Sequence, residues 1–263
     1  MPRFAANLSF LYQEHAFLDR FTAAARDGFS AVEYLGPYAE PKAKLAETLE
    51  QHGLTQALFN VPSGDWVAGE RGIACLPQRV DEFRAGVMMA LDYADALDCE
   101  KVNVISGIVP AGAELAALET TLVENLKWAA PRCADRGVKL LIEPINLRDI
   151  PSFFLSTTRH AERILERVAN DNLYIQYDVY HMQVMQGDLV PTYERLRARI
   201  GHIQIADNPG RHEPGTGEIN YGFVLSELDR LGYDGWIGCE YRPKTTATEG
   251  LGWMAPYREG KRP

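Results

Sequence analysis

The sequence predicts an α/β protein built as one closed (β/α)8 barrel spanning residues 1–263, and three observations lead there. Eight short apolar runs rich in β-branched and aromatic residues alternate with stretches of helical periodicity. No hairpin signal joins one run to the next, which makes the strands parallel. Successive runs start roughly 20 to 40 residues apart, room for a crossover helix in every connection. The competing architecture, an open doubly wound sheet, ordinarily carries a glycine-rich phosphate turn after its first strand, and Asn7-Leu8-Ser9-Phe10 is not such a turn.

Taken in order, residues 4–8 form the first strand, and an amphipathic helix over 16–27 closes at Gly28. The second strand is 31–35. A helix over 41–51 ends in His52-Gly53, with glycine in the usual place after a helix, and 55–60 is the third strand. Between Val61 and Gln78 neither helical nor strand periodicity holds; a loop of that length inside a compact domain is more often functional than idle. A long helix over 79–97, a strand over 101–105, a helix over 114–135 closed by Gly137, and a strand over 139–143 follow. Helices over 157–169 and 191–199 flank the sixth strand, 174–178, and lead to the seventh, 202–205; a helix over 223–231 precedes the eighth, 235–240.

Composition excludes more than it assigns. Hydrophobic residues at 46% and charged residues at 24% describe an ordinary globular protein. The formal charge of −9 argues against a nucleic-acid or anionic-membrane partner, since both need clustered Lys and Arg. Cys75, Cys99, Cys133 and Cys239 show neither CxxC pairing nor a disulfide spacing, so they read as reduced, buried thiols. The N-terminal residues lack a signal-peptide core, and no run approaches the roughly 20 apolar residues of a membrane span, so a cytoplasmic location is expected.

Four predicted strands share one plan. Glu143 ends the fifth and is stopped by Pro144, Asp178 ends the sixth, Gln204 stands near the end of the seventh, and Glu240 ends the eighth. Active sites of β/α barrels lie at the C-terminal strand ends. Period-two alternation puts Leu141 with Glu143, Gln176 with Asp178, His202 with Gln204, and Gly238 with Glu240 on one face of each strand. If those faces point inward, four oxygen donors crowd one rim. Three carboxylates packed together repel one another and hold their protons more tightly, a conflict that a divalent cation, Mg²⁺ or Mn²⁺, resolves because both favour oxygen ligands. His181, three residues past Asp178, can turn over the same mouth and hydrogen-bond a substrate oxygen. Arg211, in the loop after the seventh strand, can pair with a substrate carboxylate or hydroxyl. His202 falls one layer lower, His15, His52, His160 and His212 read as surface positions, and Gly215-Thr216-Gly217 reads as a tight turn rather than a nucleotide loop.

Several longer motifs go further. Gly64-Asp65-Trp66-Val67-Ala68-Gly69-Glu70-Arg71-Gly72, Leu141-Ile142-Glu143-Pro144-Ile145-Asn146, Gln176-Tyr177-Asp178-Val179-Tyr180-His181-Met182-Gln183, Glu213-Pro214-Gly215-Thr216-Gly217-Glu218-Ile219-Asn220-Tyr221 and Gly238-Cys239-Glu240-Tyr241 resemble the hydroxypyruvate isomerase family. The likeness runs over nearly the whole chain, and that family belongs to the xylose isomerase-like TIM barrels. It implies Glu143 and Glu240 as the paired acid and base, Glu143, Asp178, Gln204 and Glu240 as metal ligands, and Trp66, Arg71, His181 and Arg211 as substrate contacts. The implied reaction moves a proton from C3 to C2 of hydroxypyruvate through a metal-stabilised enediolate, giving tartronate semialdehyde. The opening Pro2-Arg3-Phe4-Ala5-Ala6-Asn7-Leu8-Ser9 also resembles 2-oxo-tetronate isomerases, and a ketose 3-epimerase is the more distant alternative. Two departures stand out: many relatives in the superfamily carry histidine where this chain has Gln204, and Asp149 stands where ketose epimerases place a second glutamate. The implied partner is a small 2-oxo-3-hydroxy acid; self-association into a homo-oligomer is left open.

Overall fold

A computed structural model describes residues 1–258. Eight strands, β1 (Arg3–Asn7), β2 (Ala31–Tyr34), β3 (Thr55–Asn60), β4 (Lys101–Val104), β5 (Lys139–Ile142), β6 (Leu173–Asp178), β7 (Ile200–Ile205) and β8 (Trp236–Cys239), close in chain order into a barrel. The closure is parallel, with β1 meeting β8 from Arg3↔Trp236 to Ala6↔Cys239. Every predicted strand is present within about three residues at either end, the usual uncertainty of a boundary.

Around the barrel lie α1 (Asp19–Arg26), α2 (Lys42–His52), α3 (Val80–Leu97), α4 (Leu115–Ala134), α5 (Thr158–Val168), α6 (Val179–Met185), α7 (Leu189–Leu196) and α8 (Tyr221–Arg230). Local chemistry sets their ends. Thr157 caps α5 by accepting from His160 N, and Gly53 closes α2 at φ 63°, a left-handed conformation that costs glycine nothing. Apolar stripes hold the helices down: α4 buries Leu118, Leu122, Leu126, Ala129 and Cys133, and truncating fully covered Leu122 to alanine should cost about 2–5 kcal/mol. All four cysteines are buried, as their spacing predicts. No helix among the described residues is long and apolar enough to cross a membrane.

Two parts of the chain have no counterpart in the sequence reading. Helix α6 follows β6 without a connecting turn, and a C-terminal segment, a 3-10 stretch Glu249–Met254 leading into α9 (Ala255–Arg258), packs on β1, where Phe4 meets the Trp253 ring edge-to-face at 4.9 Å and Tyr257 at 5.5 Å.

The barrel interior is layered. Ala5, Ala31 and Ala57 pack with Trp236 at the strand starts. Above them the lining turns polar, with Asn7, Glu33, Gln176, His202 and Gln204 all buried. Irregularities in register between Val32 and Glu33 and between Ile175 and Gln176 fall at this depth, where a bulge re-aims the side chains that follow it. The predicted loop 61–78 is irregular up to a 3-10 turn at Pro77–Arg79, and it is pinned to the barrel by a bridge from Gly72 to Ser106. Only glycine serves there: φ is 97°, and a Cβ would sit 2.4 Å from Ile105 O.

Candidate active site and metal centre

At the C-terminal end of the barrel the strand-end residues converge as the alternation predicts. Asp178 closes β6 and also caps α6, its Oδ1 accepting from the backbone N–H of Tyr180 at 2.8 Å and of His181 at 3.3 Å. The other oxygen, Oδ2, is buried and accepts no hydrogen bond. Because α6 starts at once, His181 is carried back to within 3.5 Å of that oxygen and 3.7 Å of Glu143 Oε1 through Nε2.

The tautomer of His181 follows from its neighbours. Asn146 Oδ1 accepts from Asp149 N at 2.7 Å, which turns Asn146 Nδ2 toward His181 Nδ1 at 2.6 Å. Nδ1 therefore accepts, and Nε2 carries the hydrogen that points at the carboxylates. Burial, followed by the Arg211 charge, holds this imidazole well below its ordinary value, so the ring is neutral.

Two glutamates face the same space from strands three apart. Glu143 Oε2 accepts from Asn103 Nδ2 at 2.9 Å. Glu240 Oε1 pairs with Arg211 Nη2 at 2.5 Å, and its Oε2 accepts from Asn7 Nδ2 at 3.1 Å and Gln204 Nε2 at 2.7 Å. Burial is the first cause that raises all three carboxylates. Asp178 is pushed up to about 6 and Glu240 to about 8, in each case against the Arg211 charge, which favours ionisation. Glu143 rises well above the usual carboxylate range, with the charges of Glu240 and Asp178 adding to burial.

A second glutamate layer lies beneath. Glu33 is fully buried on β2; its Oε2 is 2.6 Å from His202 Nε2, and its Oε1 accepts from Gln204 Nε2 at 2.7 Å and Asn7 Nδ2 at 3.0 Å. Room for it exists because position 238 is glycine, whose Cβ would stand 2.2 Å from Glu33 Oε1. Gln204 Oε1 accepts from Gln176 Nε2 at 2.6 Å, so Gln204 presents its amide hydrogens, not its carbonyl, to Glu33 and Glu240.

Glu143, Asp178 and His181 each offer one ligand atom within 4.8 Å of the others. With His181 Nε2 carrying its hydrogen, it is the nearness of Glu143 to Asp178, an Asp178 Oδ2 that accepts no hydrogen bond and the raised proton affinity of the carboxylates that fit a divalent metal ion, whose positive charge would favour their ionised forms. Among the residues expected to ligate, Glu143 and Asp178 lie in this group. Glu240 and Gln204 stand beside it, tied to Arg211, Asn7 and Glu33.

A cavity of about 410 Å³ opens above these groups, a size suited to small ligands. Arg211 lines it in a left-handed conformation, φ 54°, its guanidinium 4.9 Å from the Phe10 ring and 5.1 Å from the Tyr180 ring, with Nη1 3.3 Å from Asp149 Oδ2. Trp66 and Arg71 reach the same cavity from the 61–78 loop, Arg71 stacked 4.3 Å over the indole. Thus Glu143, Glu240, His181, Arg211, Trp66 and Arg71 all line one chamber, although they come from widely separated parts of the chain.

A family model described as "Xylose isomerase-like TIM barrel" matches residues 21–257. The chain is 52% identical to a 2-oxo-tetronate isomerase of Cupriavidus necator, covering 98% of this chain and 99% of that one. It is 50% identical to a hydroxypyruvate isomerase of Escherichia coli, covering 98% and 100%. The chain belongs to the xylose isomerase-like TIM barrel family, in its hydroxypyruvate and 2-oxo-tetronate isomerase group.

Within the family the backbone is shared closely. A crystal structure described as an AP endonuclease, family 2, from Brucella melitensis superposes with a TM-score of 0.95 at 47% identity, covering 98% of this chain and 99% of that one. A 3-keto-D-glucoside 4-epimerase from Escherichia coli matches at TM-score 0.79 and 18% identity, over 97% and 99% of the chains, which speaks for the fold alone.

Sequence reasoning missed Glu33, Asn7, Asn60, Asn103 and Asn146. Asn7 and Asn60 end β1 and β3 as Asp178 ends β6, so the strand-end rule would have found them had it been applied to the first four strands as well as the last four. Glu33 gives no such signal, being one residue short of the end of an otherwise apolar strand. His202 lies in the lower layer, as expected; of the outlying histidines, His160 is instead largely covered, packed 5.1 Å from the Phe154 ring and 3.3 Å from Glu119.

Proposed function

We propose that the chain is an isomerase interconverting hydroxypyruvate and tartronate semialdehyde, by removing a proton from C3 and returning one at C2. The observation that carries this reading is the pair Glu143 and Glu240, buried on strands three apart, facing one small chamber and both holding protons more tightly than ordinary glutamates. General acid–base transfer needs one group that takes a proton and another that gives one, each with an affinity near the working pH. Family membership supplies the chemical context, since the similar proteins carry isomerase names.

In this reading one glutamate starts ionised and accepts the C3 proton while the other, protonated, delivers at C2. Asn103 steadies Glu143 through Oε2, leaving Oε1 toward the chamber, and Arg211 with Asn7 fixes Glu240. Neutral His181 donates from Nε2 to a substrate oxygen, Arg211 meets an oxygen on the Glu240 side, and Trp66 and Arg71 close the chamber above. Glu143, Asp178, Glu240 and Gln204 would hold Mg²⁺ or Mn²⁺, with Gln204 required to turn its amide end for end so that Oε1 faces the ion. Such an ion supplies electrostatic stabilisation for the charge that develops on the two substrate oxygens.

The 52% identical relative favours a second substrate, a 2-oxo-tetronate, which needs the same chemistry on one more carbon. Both are tested by incubation in D₂O with Mg²⁺ or Mn²⁺, followed by NMR: deuterium entry beside the carbonyl and an aldehyde signal are expected. Absence of exchange with either acid overturns the proposal. Cleavage of abasic DNA, prompted by the description of the Brucella structure, is opposed by the net charge of −9, and an abasic oligonucleotide should remain intact.

A further inference from the structure

The chamber described above contains a charge problem that its own residues leave unsolved. A 2-oxo acid arrives as an anion at a cavity lined by Glu143, Asp149 and Glu240, with Asp178 below. Arg211 is the cation nearest those acids, but it is already spent on them: Nη2 is 2.5 Å from Glu240 and Nη1 is 3.3 Å from Asp149. Something else has to receive the carboxylate.

A second cavity of about 600 Å³ adjoins the first. Phe10, Leu35, Trp66, Arg71 and Arg242 line both, so they form the shared wall, and the two arginines are its only charged members. Neither has a carboxylate within ion-pair distance among the described residues. The acids near Arg71 are engaged elsewhere: Glu70 pairs with Arg79 at 2.6 Å, and Asp65 Oδ1 accepts from Val67 N and Ala68 N. Glu14 lines the second cavity and has His15 at 3.9 Å. Arg71 is pre-aimed, stacked on Trp66 with Nη1 donating to the carbonyls of Trp66 at 3.1 Å and Glu70 at 2.6 Å, which leaves Nη2 and Nε uncommitted. Arg242 is anchored through its backbone: its N donates to Arg211 O at 2.8 Å, and its own carbonyl accepts from His212 Nδ1 at 2.7 Å.

We infer that Arg71 and Arg242 together seat the carboxylate of the substrate on the wall between the two cavities. Two guanidinium forks from separate loops offer planar, charge-assisted hydrogen bonds that a neutral sugar cannot use. Seated there, the C2 and C3 oxygens point to the first chamber and its acids, while the charge stays at the wall away from Glu143 and Asp178. The inference rests on the 2-oxo acid reading and extends it: Arg242 becomes a specificity residue that separates acids from neutral ketoses.

The test uses Arg71→Gln, Arg242→Gln and Arg242→Lys, with melting curves to establish that each folds. Turnover of hydroxypyruvate with Mg²⁺ present is expected to show KM raised about 10- to 100-fold in each glutamine variant, as for loss of a hydrogen bond to a charged group, with kcat changed far less and Arg242→Lys recovering part of the loss. In parallel, calorimetry measures D-glycerate, an acid, and glycerol, its neutral counterpart, against the wild type and the variants. This arm stands apart from catalysis. If the wild type fails to turn over any 2-oxo acid yet binds glycerate, and Arg242→Gln weakens that binding at least tenfold, the carboxylate seat stands and the isomerase reading falls. Equal glycerate affinity in the wild type and Arg242→Gln, or no preference of the wild type for glycerate over glycerol, overturns the seat.

Discussion

Removing metal and raising the pH from 7 to 8 should weaken this protein, and the size of the effect can be worked from the buried carboxylates. Glu240 has its proton affinity raised from 4.5 to about 8, so across this interval the folded chain keeps a proton that the unfolded chain has lost. A raised acid contributes stability that declines as pH climbs from the unfolded value through the folded one. Between pH 7 and 8 the Glu240 contribution falls by about 1 kcal/mol, and Glu143, raised for the same reasons, acts in the same direction. Histidines oppose this only in part: His160, His181 and His202 are lowered from 6.5, so their contribution grows as pH rises through 6.5 and has about 0.1–0.2 kcal/mol each still to gain between pH 7 and 8. The buried thiols Cys75, Cys99 and Cys133, pushed up to about 12, weaken the fold only as pH nears and passes their unfolded value of 9.0. Thermal unfolding followed by circular dichroism in EDTA should therefore show Tm falling by about 3 °C or more from pH 7 to 8, since 1 kcal/mol moves a chain of this size by roughly 2–4 °C. Added Mg²⁺ should recover more at pH 8 than at pH 7, and Glu240→Gln should flatten the slope. A Tm in EDTA that holds or rises over this interval would refute the placement of these acids against one another.

Further outcomes follow from the same contacts. Glu143→Gln and Glu240→Gln should each lower kcat/KM on the 2-oxo acid by about 10²- to 10⁴-fold in a coupled assay. Glu33→Leu should act on the fold instead: it lines no part of the chamber, yet it takes from His202 its acceptor and from Gln204 and Asn7 one of their two, and should cost about 1–3 kcal/mol in urea unfolding. Gly238→Ala, with its Cβ driven to 2.2 Å from Glu33, should also destabilise, and Glu33→Asp should partly rescue it in the double variant. His181→Asn should raise KM and lower kcat together, without altering unfolding in EDTA by more than about 2 kcal/mol.

Much of the architecture was legible in the chain because parallel barrel strands are buried on both faces and announce themselves as apolar runs, and because Glu143, Asp178 and Glu240 interrupt those runs at matching depth. Helix α6 was hidden for a definite reason. Its cap is Asp178, the residue that also ends the strand, so no polar loop separates the two periods and seven residues are too few to show one of their own. The opposed orientation of Gln204 was equally out of reach: a side-chain amide has two different ends, and only the partners on either side, Gln176 below and Glu240 above, decide which one faces the chamber. Arg242 escaped notice because an exposed arginine after a strand looks like any solvated loop residue until two cavities are found meeting at it.

The polar floor of Asn7, Glu33, Gln176, His202 and Gln204 is rooted entirely in strands, whereas Trp66, Arg71, Arg211 and Arg242 belong to loops. Reaction and diet are thereby written on different parts of the molecule. On the proposed function, an altered loop can admit a longer acid or a different anion while the hydrogen-bonded floor, indifferent to what lies above, continues to hold Glu240 in place. A lineage built this way can change what it consumes by substituting a handful of surface positions, and a laboratory library confined to residues 61–78 and 241–246 should reach new substrates without first having to rebuild the barrel.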